Sequence, residues 1–136
     1  MTPEEVFHLL TQKIAPRDGR TIGKVDVAIW HEDISDLDYR DACEAVARHF
    51  RQSPDTWLKA GHVRALVRKI REERLDGFQY VPVEGDQDPQ VYLQAFRDQR
   101  EAVASGRRDP APEIPGGPRR DIAAILAAAF PHRAEP

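Results

Sequence analysis

Between Gly106 and Pro118 the chain carries Pro110, Pro112, Pro115, the pair Gly116-Gly117 and Pro118, a composition in which neither helix nor sheet survives. That stretch confines a folded core to residues 1–105. It leaves 106–118 as a flexible linker and 119–136 as a tail. One modest domain plus extensions is what 136 residues allow. With 40% hydrophobic and 32% charged residues the chain can bury a small core, near the lower limit for folding without staples.

Residues 1–105 read as an all-α, compact bundle of four or five helices. Thr2-Pro3-Glu4-Glu5 is a capping box with proline at the first helical position. Val6, Phe7, Leu10 and Ile14 then share a face, and Pro16 with Asp18-Gly19 is expected to end the helix. A second helix is predicted over 24–34. Val27, Trp30 and Ile34 form one apolar stripe and Val25, Ala28 and Ile29 another, which predicts a place near the centre of the core. Asp36 and Asp38 supply caps for a third helix with Tyr39, Ala42, Cys43, Val46 and Phe50 on one face. A fourth, about 60–75, turns Val63, Leu66, Val67 and Ile70 inward. Phe78, Tyr80 and Val81 suggest a short extended piece packing back on the bundle. Asp88-Pro89 caps a fifth helix, about 90–105, whose thin apolar face (Tyr92, Phe96, Val103) suits a helix extending away from the core.

The chemistry of catalysis is hard to find. His8, His31, His49, His62 and His132 are scattered at spacings that make no zinc motif. His31-Glu32 opens like a metalloprotease helix, but Ser35 stands where the second ligand belongs. Cys43 lies on an apolar face, where a cysteine is usually a small core residue. Gly116-Gly117 lacks the strand and lysine of a phosphate loop. Asp33, Asp36, Asp38 and Asp41 lack the spacing of a calcium loop, and capping explains them better. We expect no enzyme, no cofactor and no metal. A single cysteine excludes an intrachain disulfide and suits a reducing cytosol. The opening residues lack a signal-peptide layout, and no apolar run approaches the ~20 residues of a membrane span. The expected location is cytoplasmic.

Net charge is −3, yet six lysines and arginines lie between Lys59 and Leu75 against two acids. Arg64, Arg68 and Arg71 line one face of that helix at i, i+4 and i+7. They are candidates for contact with nucleic acid or an acidic partner, with a solvated face as the plainer reading. In the tail, Ile122, Ile125, Leu126 and Phe130 follow the prolines, and the alanines among them favour helix. Such a segment is too short for a stable lone helix, so it docks on its own domain or folds on a partner, and the second is preferred.

The segments Thr2 to Leu10, Val27-Ala28-Ile29-Trp30-His31-Glu32-Asp33-Ile34 with Leu37-Asp38-Tyr39, and Ala42 to Phe50 followed by Gln52-Ser53-Pro54, together resemble a known family. It is that of the small phage helicase loader/inhibitor proteins acting on DnaB-type replicative helicases. The resemblance covers about the first half of the chain. It implies a compact helical amino-terminal domain and a carboxy-terminal part that engages the helicase. The expected function is a helicase-binding adaptor in phage or prophage DNA replication, with Ile122, Ile125, Leu126 and Phe130 as partner-binding residues. The alternative is a small DNA-binding replication or regulatory protein that uses helix 60–75.

Overall fold

The computed structural model describes residues 1–110. Among them the fold is all-α, with no strands. The order is α1 (Pro3–His8), a π-helical segment (Leu9–Ile14), α2 (Ala15–Asp18), α3 (Lys24–Ile34), α4 (Tyr39–Gln52), α5 (Ala60–Leu75) and α6 (Pro89–Ala104). The linker from 111 onward and the tail, including Ile122, Ile125, Leu126 and Phe130, lie outside the described residues.

The first helix starts as its sequence dictates. Thr2 Oγ1 accepts from the Glu5 backbone N–H at 3.2 Å, with Pro3 in the first turn where no N–H is needed. It does not stop at Pro16. The winding widens to a π register, in which the Ala15 N–H bonds the Leu10 carbonyl. Pro16 then sits in the opening turn of α2, where its missing N–H costs no hydrogen bond. Gly19, at φ +73°, ends the run in the left-handed cap that glycine adopts without strain.

The core is built by Val6, Leu9, Leu10 and Ile14 of the first helical run against Ile34, Ala42, Ala45, Val46, Leu58, Val63, Val67 and Ile70. The α4 and α5 helices pack on each other, and the π segment packs on α4. Asp38 caps α4 by accepting from the N–H groups of Arg40 and Asp41 at 2.9 and 3.2 Å. Cys43 is half-buried against this core.

The expectation that helix 24–34 is central is corrected. Only Ile34 of α3 is fully buried, Val27 and Trp30 are half-buried, and Val25 and Ile29 face solvent. The helix lies between α1 and α5 at the edge of the bundle, and each neighbour covers its inner side alone.

Beyond α5 the chain runs without strand or helix to Asp88, and Phe78, Tyr80 and Val81 pack on α6. Gln99, buried, holds Val81 by both polar ends: Val81 N–H donates to its Oε1 at 2.8 Å and its Nε2 donates to the Val81 carbonyl at 2.7 Å. Phe78, Tyr80, Tyr92 and Phe96 form an aromatic cluster with ring centroids 5.0–6.2 Å apart. The carboxyl end of α6, Val103 and Ala104, is buried near α5, whereas Val91, Tyr92 and Leu93 at its start are exposed. After α6 the chain stays bonded. Arg107 and Arg108 donate backbone N–H groups to the Ala102 carbonyl, and Gln79 N–H bonds the Pro110 carbonyl at 3.0 Å.

Candidate functional site

The basic stripe of α5 faces a groove of about 480 Å³ lined by Asp36, Arg64, Arg68, Arg71, Arg100 and Glu101, among others. Its walls are α5, α6 and the α3–α4 turn. Arg64 reaches across to that turn, gripping both carboxylate oxygens of Asp36 and the Asp33 carbonyl. The Arg64 hydrogen bond is the main reason the Asp36 carboxyl is held below the usual carboxylate range. Arg71 donates to both oxygens of Glu101 on α6 at 2.7 and 2.8 Å. Arg68, between them in sequence, forms no ion pair among the described residues and is exposed. The stripe is therefore one clasp to the α3–α4 turn, one clasp to α6 and, among the described residues, one guanidinium outside any ion pair. A face that meets successive phosphates needs its cations available, and here two of three are engaged.

A third clasp on α5 comes from Arg74. It donates to both oxygens of Asp41 on α4 at 2.6 and 3.0 Å, and to the Ala104 carbonyl at 3.1 Å. Hydrogen bonding to Asp41 raises the Arg74 pKa further above its ordinary range. Asp41 is buried, although its sequence position is off the apolar face of α4. Arg48 joins α4 to α5 again through Glu73, and it holds Glu44 one turn back, so hydrogen bonding lowers the Glu44 pKa.

Two other side-chain groups escape a reading by pattern. Arg20, in the turn after α2, donates to Asp18 and to the Leu58 carbonyl at 2.9 Å. Its guanidinium carbon lies 4.1 Å from the Trp57 ring centroid and 5.8 Å from that of Trp30. Burial pushes the Asp18 carboxyl up, but hydrogen bonds and charge from Arg20 outweigh it and leave the pKa lowered. Trp30 is thus a half-buried partner of a cation rather than a fully enclosed core aromatic. His49, buried, bonds the Thr56 carbonyl through Nε2 at 2.7 Å and stacks on His62 at 5.4 Å between centroids. The His62 Nδ1 in turn accepts from the Lys59 N–H at 3.0 Å, which caps α5. Both groups tie the loop over 53–59 to the bundle. Arg20 lies in a turn and carries no periodicity, and the partner of His49 is a loop carbonyl, so only neighbours in space reveal either role.

No buried side-chain polar atom among the described residues lacks a hydrogen-bond partner, so none is left aimed at a ligand. Among the same residues no three His, Cys, Asp or Glu side chains gather as metal ligands would. None of their helices is long and apolar enough to cross a membrane. The exposed large apolar side chains are Phe7, Val25, Ile29, Trp57, Val83, Val91, Tyr92 and Leu93. No family model, curated protein or solved structure matches the chain.

Proposed function

We propose that this chain is a non-enzymatic adaptor that binds a DnaB-type replicative helicase during phage or prophage DNA replication. The likeness of Val27–Ile34 and Leu37-Asp38-Tyr39 to the helicase loader/inhibitor proteins supports the choice of partner. The observation that carries the mode of action is the engagement of Arg64 and Arg71 with Asp36 and Glu101. It weakens the duplex-reading alternative and leaves exposed apolar side chains as the surface with binding energy to offer. The apolar residues Ile122, Ile125, Leu126 and Phe130, beyond the prolines, are the proposed grip on the helicase. The helical domain supplies a scaffold with a second contact, and the tether raises the local concentration of one contact once the other has formed.

The test is calorimetric titration of the host helicase with the full-length chain. Binding is expected, and Ile125→Asp with Leu126→Asp in the same chain should weaken it at least about a hundredfold. Undiminished binding by that double variant removes the tail from the mechanism. Absence of helicase binding, together with salt-sensitive binding to duplex DNA that is lost in Arg68→Ala, would replace the adaptor with the DNA-binding reading.

A further inference from the structure

The α3 helix has apolar residues on two sides, and the bundle uses one. At ~100° per residue, Val27, Trp30 and Ile34 point inward, and Val25 and Ile29 stand about 40° apart in the middle of the outward side. They are 69% and 51% exposed, the former the highest value among the large apolar residues of the described chain. Among the described residues α3 packs on α1 and α5, and these two side chains stand on the side turned away from the core.

The α1 helix packs on α3. The Met1 amino group bonds the Ser35 carbonyl, which pins the start of α1 to the end of α3. Phe7 is 49% exposed. The rim of the surface is acidic. Glu32 lies about 20° to one side of Val25, and Asp33 and Asp26 lie about 40° and 60° beyond Ile29. Lys24, at the far edge, is the lone cation on α3.

We infer that the outward face of α3, centred on Val25 and Ile29, is a docking surface for a basic amphipathic helix of the partner. An apolar centre ringed by carboxylates fits a helix whose apolar stripe is flanked by lysine and arginine, and it repels acidic surfaces. The acidic rim also disfavours an isologous contact with a second copy, since that would set carboxylate against carboxylate. This face is the second contact that the adaptor reading calls for, and it rests on that reading for the identity of the partner.

The experiment uses the full-length chain and the host DnaB-type helicase. Val25→Ser with Ile29→Ser should weaken binding at least about tenfold while leaving the melting temperature unchanged, because both side chains are solvent-facing. Glu32→Gln with Asp33→Asn should flatten the salt dependence of binding. If the wild-type chain binds and the serine variant binds equally well, the face is not a docking surface, although the adaptor reading stands. If the salt dependence is unchanged by the amide variant, the basic character assigned to the partner is wrong. If the wild-type chain sediments as a dimer and the serine variant as a monomer, a second copy occupies the face and the inference falls. If the wild-type chain does not bind the helicase, the adaptor reading itself fails, which is a different result from any of these.

Discussion

The α3 and α4 helices are consecutive in sequence and opposite in how they use their side chains. The α4 helix has one apolar face and buries it, with Ala42, Ala45 and Val46 fully enclosed. It even encloses Asp41, which Arg74 satisfies from α5. The α3 helix is the more apolar by composition, yet Ile34 is its one buried residue. Each packs on two neighbours, so burial follows from how extensively those neighbours cover a helix, and apolar content only states how much cover it can accept. A helix with an unused apolar side is where the fold offers something outward.

The sharpest way to test that contrast is within α3 itself. Ile34→Ala should destabilise the domain by about 2–5 kcal/mol in urea unfolding, the range for truncating an enclosed isoleucine. A loss below about 1 kcal/mol would mean that α3 is not anchored by its carboxyl end. The α4 side of the comparison is tested by Arg74→Ala, expected to cost about 3 kcal/mol. That is the low end for an abandoned buried charge, because Arg74 is itself about a third exposed. Arg74→Lys should recover only part of it, since a single ammonium cannot span both Asp41 oxygens.

A smaller step is Asp38→Ala, which removes the α4 cap and should cost about 1 kcal/mol by the same measurement. Acid should act more gently still. The carboxyls of Asp18, Asp36 and Glu44 have lowered pKa values in the folded state, so their contribution is complete above the ordinary carboxylate range. It is lost as pH falls through the folded values, and stability should hold from pH 7 to about 5 and decline below about 4. The smallest effect is Ile29→Ala, expected within about 0.5 kcal/mol of the parent. An effect comparable to Ile34→Ala would show that the outer stripe is enclosed in solution and would erase the contrast.

The helical plan was legible because its signals are local. Thr2-Pro3-Glu4-Glu5, Asp38 and Asp88-Pro89 each start a helix by chemistry confined to a few residues, and α4 and α5 carry clean periodicity. Pro16 misled because a proline breaks α-helical winding, and the cost disappears when the register widens just before it, which no local rule announces. The α3 helix misled because two stripes permit burial on both sides, and only the placement of α1 and α5 decides. The spacing of the α5 arginines sets them along one groove. That Arg64 and Arg71 hold carboxylates 28 and 30 residues away is a property of packing. Arg20 between two tryptophans, and His49 on His62, depend on the loop over 53–59 meeting the bundle, which leaves no trace in spacing.

The hydrogen bond between Gln79 and Pro110 has a bearing on reach. It makes Pro110 a mooring on the α5–α6 side of the molecule. Eleven residues lie between it and Ile122, so even a fully extended backbone would put Ile122 no farther than roughly 40 Å from Pro110. Under the adaptor proposal, a helicase surface that takes Ile122 while the domain is also held lies inside that circle. Lengthening the leash by insertion should be tolerated far better than shortening it.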